Sequence, residues 1–280
     1  KHKDKLTKGY FLFAIEAMKT EVIRPMLAKD AKKEMHKIVY PCFVQPKLDG
    51  MRANANAQGI ASRQGKPVLT MNHILKNIEH INETLDGELY AHGLSFQENI
   101  SLIKKYREGE TEQIHYHVYD LMMDAPFKER YDLLAELVEG IDNIKLVKTI
   151  MIFNEDELKH WHGIFLEQGY EGTIIRWGDE PYRMNARSSS LLKYKDFIDT
   201  TATITDIEPS EKRPEQGKAV CVLEDGGVFT ANFAMPFKER ENILTNKADY
   251  IGQTAEIRFF EYTDSGLPRF PVCFGFRLDK

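Results

Sequence analysis

The chain has 280 residues, 42% of them hydrophobic, with 38 Lys and Arg against 43 Asp and Glu. This length and apolar content predict a folded protein of one large domain or two unequal ones, and exclude a disordered chain. The net charge of −5 argues against attraction of the whole surface to a polyanion, although it does not say where the charges lie.

The sequence contains no run of about eighteen apolar residues, and its start lacks the long apolar segment and cleavage site of a secretory signal. We therefore expect no membrane association and a cytoplasmic location. Cys42, Cys221 and Cys273 are far apart and form no C-x-x-C pair, which favours reduced, structural thiols over a zinc or redox site.

The first 39 residues are basic, with ten Lys and Arg against five Asp and Glu, whereas the rest of the chain is acidic. Residues 11–23 predict a helix, which Pro25 separates from the segment RPMLAKDAKKEMHK. The excess charge fits either a solvated helix face or an arm that contacts a nucleic-acid backbone, and both remain open. We interpret residues 1–39 as a basic segment that packs on, or extends, the domain that follows.

Between residues 40 and 198, strand-like pieces such as VYPCFVQPKLDG, TLDGELYAHG and QIHYHVYDLMM alternate with helical patterns. SFQENISLIKKYRE begins with a capping box of Ser95 and Glu98. PFKERYDLLAELVE begins with a proline, and NEDELKHWHGIFLEQG runs from Asn154 as its cap to Gly169. This mixture predicts an α+β domain with antiparallel sheets and flanking helices.

After about residue 198 the pattern changes to short strands with one helical candidate at 236–245. A unit of about eighty residues with this element order is typical of an OB-fold β-barrel, so we predict domains at 40–198 and 199–280. The pentapeptide PFKER occurs at 126–130 and again at 236–240. Because the flanks do not match, we interpret the repeat as shared helix-start chemistry rather than duplication.

The stretch FVQPKLDGMRAN places Gln45, Lys47 and Asp49 on one face if it is a strand, and Gly50 then lets the chain turn close to a ligand. Taken alone, KLDG more often forms a hairpin turn with a solvated lysine. Three later motifs also place polar or charged side chains on strands. Each of them could instead be a turn or the solvent-exposed face of a sheet. They contribute Asp86, Glu88 and Tyr90 from DGELY, Glu171 and Arg176 from EGTIIR, and Lys193 and Lys195 from LLKYK.

Seven short motifs follow one another along the chain in an order that is improbable by chance. They are K-x-D-G-x-R, S-R-x-G, D-G-E-L, Y-D-L, E-G-x-x-x-R, L-L-K-x-K and a final R-x-D-K. This set resembles the covalent nucleotidyltransferase superfamily, and most closely the minimal ATP-dependent DNA ligases of viruses and bacteria. The resemblance spans roughly residues 25 to 280. It implies an adenylation domain followed by an OB-fold domain, ATP and Mg²⁺ or Mn²⁺ as cofactors, and nicked duplex DNA as the partner of a monomeric enzyme. It also implies that the cytoplasm in question is that of a bacterial cell or a virus-infected host cell.

The resemblance also implies the reaction, in which Lys47 attacks the ATP α-phosphate to form a lysyl-AMP. The adenylate then passes to the 5'-phosphate at a nick, and the 3'-hydroxyl displaces AMP, as replication, repair or recombination requires. A free lysine is almost wholly protonated at neutral pH, so nearby positive charge must make it nucleophilic. Lys193, Lys195 and a divalent metal would supply that charge and stabilise the α-phosphate in the transition state.

The remaining motif positions imply contacts with the nucleotide, the metal or the nick. Hard carboxylate oxygens suit Mg²⁺, so the metal candidates are Glu171, Glu88 and Asp49. The nucleotide and nick candidates are Gln45 at the adenine edge, Tyr119 stacked on adenine, Glu88 at the ribose, Arg52 and Arg63 on phosphates, Arg176 as a buttress, and Arg277 and Lys280 on the pyrophosphate when the OB domain closes.

Other functions remain as alternatives. Within the superfamily they are an RNA ligase or an mRNA guanylyltransferase, and from a different class a catalytically inactive OB-type nucleic-acid-binding protein. An NAD-dependent ligase is disfavoured because paired cysteines are missing. His115 and His117 share a strand face without a nearby third ligand, and His160 and His162 would lie on different helix faces, so we predict no metal role for either pair.

Overall fold

The computed structural model describes residues 24–277. The helix predicted at residues 11–23 and the terminal Lys280 therefore lie outside the described residues. Along the described chain, two five-stranded sheets are followed by a closed barrel of five strands. This combination of sheets with a few short helices confirms the predicted α+β class.

The first sheet contains the strand that ends at Lys47. In order across the sheet, its strands are β1 (Leu27–Asp30), β10 (Arg187–Tyr194), β9 (Gly172–Arg176), β2 (Cys42–Lys47) and β8 (Ile150–Ile152). Neighbouring strands are antiparallel except β1 and β10. The middle strands β2 and β9 bury Val44 and Ile175 completely, so apolar packing anchors the two strands that lead to the predicted site.

The second sheet carries the DGELY and HYHVYDL motifs. Its strand order is β4 (Gly59–Ser62), β3 (Met51–Asn56), β5 (Leu85–Tyr90), β6 (His115–Leu121) and β7 (Ile144–Leu146). On one face of this sheet lies the largest buried cluster, which includes Leu85, Leu89, Tyr116 and Val118. Polar members of the motifs alternate with these apolar residues, as the period of a strand requires.

The barrel begins at Ile198 and confirms the predicted OB-type arrangement of short strands. Its order is β11 (Ile198–Pro209), β12 (Gly217–Val222), β13 (Val228–Phe233), β17 (Val272–Arg277) and β14 (Thr254–Phe259), and a small hairpin pairs β15 (Glu261–Tyr262) with β16 (Pro268–Arg269). Inward-facing residues such as Ile204, Ala219 and Phe259 fill its interior.

Within residues 24–277, the predicted helices form where local signals placed them. The described helices are α1 (Ala31–Glu34), α2 (Asn72–Leu75), α3 (Phe96–Lys104), α4 (Phe127–Val138), α5 (Glu155–Glu167) and α6 (Phe237–Thr245). The capping box of Ser95 and Glu98 is present at α3, and the Asn154 side chain caps α5. Both PFKER copies start a helix at their phenylalanine. No helix within residues 24–277 is long and apolar enough to span a membrane.

The KLDG motif forms a turn rather than a continued strand. Strand β2 ends at Lys47, so Asp49 is exposed in the turn instead of alternating with Gln45 and Lys47 as predicted. A Cβ atom on Gly50 would overlap the backbone oxygen of Leu89. Gly50 therefore permits the close approach of KLDG to the DGELY strand.

The barrel contacts the preceding part of the chain through two phenylalanines that rest on glycines. A Cβ on Gly93 would overlap the ring of Phe237, and one on Gly163 would overlap the ring of Phe270. Phe237 lies in α6, and its backbone nitrogen donates to the Gly93 carbonyl at 2.9 Å. These contacts fix the position of the barrel in the described arrangement.

Candidate active site

A cleft of about 1220 Å³ opens between the two sheets. Its lining includes one carboxylate, Glu88, among the described residues, and nine cationic side chains. These cations are Arg24, Lys47, Arg52, Arg63, Lys66, Arg176, Arg187, Lys193 and Lys195. A cleft this positive, in a chain with a net charge of −5, is suited to a polyanionic ligand such as a nucleotide or a nucleic-acid backbone.

Lys47 lies at the end of β2, directly opposite Gly172 of β9. The preceding residue, Glu171, donates its backbone N–H to the Lys47 carbonyl at 3.0 Å, and its carboxylate pairs with the amines of both Lys47 and Lys195. A side chain on Gly172 would overlap the Tyr194 carbonyl, so the strand ends meet closely at this point. The structure thus brings together three residues that the sequence places far apart.

The electrostatic setting of Lys47 favours a reactive amine. Burial lowers the pKa of Lys47, and Arg52 lowers it further, although the carboxylates of Glu88 and Asp49 act in the opposite direction. Burial and the neighbouring Lys47 likewise lower the pKa of Lys195. A lysine that is easier to deprotonate than in water is what a nucleophilic role requires.

Glu88 and Tyr119 lie on adjacent strands of the second sheet and face the cleft. Burial raises the pKa of Glu88 to about 7, even though Arg52 and Lys47 lower it. The Tyr119 hydroxyl donates to the Gly87 carbonyl at 3.3 Å and approaches Glu88 Oε2 at 3.4 Å. The Tyr119 ring is therefore held at the cleft wall, where its aromatic face can pack against a planar base.

Gln45 is buried behind this wall and its amide is engaged by the protein. Its Nε2 donates to the Tyr119 carbonyl at 3.2 Å and to Thr149 Oγ1 at 2.8 Å, and its Oε1 accepts from Arg176 Nε at 2.9 Å. Both amide protons are used, which leaves one lone pair on Oε1 for a ligand. Arg176 also pairs with Asp120 at 2.5 Å, so it supports the cleft from within, as a buttress would.

Arg52 and Arg63 differ in how firmly they are held. Asp86 binds Arg52 through two contacts of 3.0 and 2.6 Å, and the Met26 carbonyl accepts a third bond at 2.8 Å. Arg63 is exposed at the cleft mouth. Arg52 is thus a rigid anion-binding group, whereas Arg63 is free to follow a ligand.

The sequence reasoning assigned no role to two buried acids that organise this site. Asp86 binds Arg52 and also accepts from the Tyr182 hydroxyl at 2.7 Å. Asp120 pairs with Arg176 and with Arg130. Both acids are fully buried within predicted strands. A charged residue at such a position signals a partner elsewhere in the chain, although it does not identify that partner.

Of the two C-terminal residues predicted to reach the nucleotide, only Arg277 is described. It ends β17, pairs with Glu256 at 3.7 Å, and is not among the described residues that line the cleft. Lys280 lies beyond the described part of the chain. A role of Arg277 at the pyrophosphate therefore stays a prediction that requires the barrel to move.

The carboxylates of the site fit a metal ion that is held jointly by the protein and by substrate phosphates, rather than by protein ligands alone. Within residues 24–277, no group of three or more His, Cys, Asp or Glu side chains is placed to hold a metal. Mg²⁺ is often held by one or two carboxylates together with substrate phosphates, and Glu88 and Glu171 are suitable donors beside the cleft. Asp49, exposed in its turn, stays a predicted ligand. Burial lowers the pKa of His117 to about 4, and no metal group forms around it or His115 in that part.

Comparison with known proteins agrees with this geometry. The model of the "ATP dependent DNA ligase domain" family matches residues 25–195. A DNA ligase of African swine fever virus is 28% identical over 205 residues, covering 65% of this chain and 48% of the viral protein. A DNA ligase of Haemophilus influenzae is 26% identical over 230 residues, covering 80% of this chain and 82% of that protein.

A solved structure of Chlorella virus DNA ligase-adenylate has a TM-score of 0.71 and 25% identity to this chain. The alignment covers 92% of this chain and 100% of the solved one. The chain spans about half the length of the African swine fever virus relatives that it matches.

Proposed function

This chain belongs to the family of ATP-dependent DNA ligases, and from that premise we propose that it seals nicks in duplex DNA through a lysyl-AMP formed on Lys47. The observation that carries the proposal is the contact of Glu171 with both Lys47 and Lys195 at the edge of a strongly cationic cleft. We further propose that residues 40–198 form the adenylation domain and 199–280 the OB-fold domain of a monomeric, cytoplasmic enzyme.

In the first step the Lys47 amine attacks the α-phosphorus of ATP. The N–P bond forms as the bond to the pyrophosphate oxygen breaks, and the bonding electrons leave with pyrophosphate. Glu171 contacts the amine and can accept its proton, and Lys193 and Lys195 stabilise charge on the α-phosphate. A Mg²⁺ ion held by Glu171 or Glu88 would supply further electrostatic stabilisation.

Nucleotide binding uses the wall of the cleft. The Tyr119 ring receives the adenine, Glu88 lies within reach of the ribose, and Arg176 holds Gln45 behind the base. The tight engagement of Gln45 favours its oxygen as the group that accepts from the adenine amino group.

The later steps require the 5'-phosphate of the nick to bind in the cleft beside the lysyl-AMP. We propose that Arg52, which Asp86 holds rigidly, and the exposed Arg63 receive the 5'-phosphate of the nick once pyrophosphate has left. An oxygen of the 5'-phosphate attacks the phosphorus of the lysyl-AMP, and the N–P bond to Lys47 breaks as the adenylate moves to the DNA. The 3'-hydroxyl then attacks the 5'-phosphorus and AMP leaves. Arg277 and Lys280 act earlier, when the barrel closes over the nucleotide in the first step.

The test uses the purified chain with Mg²⁺ and α-labelled ATP, α-labelled GTP or adenylate-labelled NAD, followed by nicked duplex DNA. We expect a covalent adduct with ATP and none with GTP or NAD. On addition of nicked duplex DNA the adduct should disappear, the strand should be sealed, and labelled AMP should be released. Lys47→Ala and Lys47→Arg should both abolish the adduct, because a guanidinium keeps the charge but is not nucleophilic. Label from GTP would indicate a guanylyltransferase, and an adduct that survives Lys47→Ala would refute the mechanism.

A further inference from the structure

The mechanism above uses no residue of helix α5, yet this helix places a fully buried histidine behind the catalytic lysines. His162 has no exposed surface, whereas His160, two residues earlier, is exposed. A buried imidazole that contributes only bulk would be costly, because both of its ring nitrogens need partners. The partners of His162 therefore indicate its role.

Both ring nitrogens of His162 are satisfied. Nδ1 lies 2.8 Å from Thr173 Oγ1, and Nε2 lies 2.9 Å from the Asp196 carbonyl oxygen. A carbonyl oxygen can only accept, so Nε2 carries the proton, and Nδ1 accepts from the Thr173 hydroxyl. Burial lowers the pKa of His162, in keeping with this neutral form. The hydrogen bonds thus select one tautomer and one ring orientation.

Aromatic packing holds the same ring in place. The His162 ring lies 4.2 Å from the Tyr194 ring at an interplanar angle of 33°, and Phe260 meets it edge-on at 5.2 Å. Tyr194 is the last residue of β10 and pairs with Thr173 of β9. His162 therefore contacts both strands where their ladder ends.

The position of these partners links His162 to the reacting groups. Thr173 follows Glu171 by two residues, and Asp196 directly follows Lys195. Strand β10 ends at Tyr194, so the strand ladder does not extend to Lys195. The bond from His162 to the Asp196 carbonyl anchors the backbone beyond that end. The Asp196 side chain points elsewhere, to an exposed pair with Lys32 at 2.9 Å.

We infer that His162 is a positioning residue that holds Lys195 and Glu171 in register with Lys47 for lysyl-AMP formation. The inference rests on the proposed function and adds to it a residue outside the ordered motifs. His162 acts through the Asp196 backbone and the Thr173 side chain, and it takes no part in bond making or proton transfer. Because Lys195 stabilises charge that develops on the α-phosphate, its misplacement should slow the chemical step more than it weakens ATP binding.

The experiment compares His162→Phe with the wild type and with His160→Phe on the exposed side of the same helix. Phenylalanine keeps a ring against Tyr194 and Phe260 but removes both hydrogen bonds. The rate of adduct formation is measured in single turnovers at saturating labelled ATP, per folded molecule, together with the ATP concentration for half-maximal rate. Thermal unfolding of each variant reports whether the fold is kept.

We expect His162→Phe to lower the saturating rate by about 10- to 100-fold while the half-saturating ATP concentration changes by less than about 3-fold. His162→Gln, whose amide can still donate to the Asp196 carbonyl, should recover part of the rate. In a Lys195→Ala background, His162→Phe should cost less than in the wild type, because the part of its effect that passes through Lys195 is already lost. His160→Phe should leave the rate unchanged.

A folded His162→Phe variant with the wild-type rate would overturn the inference, as would full additivity with Lys195→Ala. If His162→Phe does not fold, Thr173→Val decides, since loss of the hydroxyl releases the ring from its orientation. A wild-type saturating rate in that variant would also overturn the inference. Absence of an adduct in the wild type would instead refute the proposed function, and the inference with it.

Discussion

Phe237 of the barrel lies directly over Gly93, the glycine that follows strand β5, and the two also share a backbone hydrogen bond. The Phe237 ring is flanked by the guanidinium groups of Arg213 at 4.4 Å and Arg240 at 5.1 Å from its centre. In this arrangement Arg277 is not among the described residues that line the cleft. Closure of the barrel over a nucleotide would therefore require Phe237 to leave Gly93.

Gly93→Ala should destabilise the protein by more than backbone strain alone. Gly93 has φ of +95°, and an alanine there would be strained and would also overlap Phe237. Gly109→Ala is the matched control, because Gly109 has φ of +76° and open space around it. We expect the free energy of unfolding to fall by about 1–3 kcal/mol more for Gly93→Ala. If chemical denaturation shows the same loss of unfolding free energy for both variants, the overlap with Phe237 does not contribute to the destabilisation.

Glu88 should make stability fall as pH rises from about 4.5 to about 7. Its pKa is raised to about 7 in the folded protein by burial, against about 4.5 for the ordinary group, so the folded state binds the proton more tightly. Between these two values the folded chain holds more protons than the unfolded chain, and the free energy of unfolding decreases with pH. The total decrease from this group is up to about 3 kcal/mol and ends above pH 7.

The measurement is the difference in unfolding free energy between Glu88→Gln and the wild type from about pH 4.5 to 8. The glutamine variant cannot ionise, so it should gain relative to the wild type as pH rises to about 7 and stay level beyond that. Glu83→Gln, at an exposed position near the start of the same strand, is the control. A flat difference for Glu88→Gln would mean that this carboxyl is not held in its neutral form.

Capping and turn residues predicted where the helices and strands lie, and the order of the sequence motifs predicted which charged residues come together. The helix caps at Ser95 and Asn154 depend on contacts within one turn, so they are readable from the chain. Asp49 departs from the alternating pattern because β2 ends at Lys47. His162 could not be assigned because its partners lie 11 and 34 residues away and are a hydroxyl and a backbone carbonyl, which leave no pattern in the sequence.

Glu171 and Lys195, the two charged neighbours of the Lys47 amine, should shift the pH dependence of the proposed adduct formation in opposite directions. Glu171 contacts Lys47, so Glu171→Gln removes an anion and should lower the pKa of Lys47, which moves the rising limb of the rate to lower pH. Lys195→Met removes a nearby cation and should move that limb to higher pH. Both variants should also be slower than the wild type.

These limbs are measured in single turnovers with labelled ATP over a pH series that covers the rise of the rate. Lys66→Met removes an exposed cation at the cleft lining and should leave the limb in place. Shifts of the same sign for Glu171→Gln and Lys195→Met would mean that the limb does not report Lys47.

Gln45 should contribute to stability as well as to nucleotide binding, because its amide joins three protein groups. Gln45→Met keeps the length of the side chain but leaves the buried Nε of Arg176 and the Tyr119 carbonyl without this partner. We expect the free energy of unfolding to fall by about 1–3 kcal/mol and the half-saturating ATP concentration for adduct formation to rise. Gln64→Met, at an exposed glutamine of the same cleft, should change neither. Weaker ATP binding with an unchanged free energy of unfolding would instead mean that Gln45 only contacts the base. Replacement of a side chain that contacts only the ligand does not change the stability of the ligand-free protein.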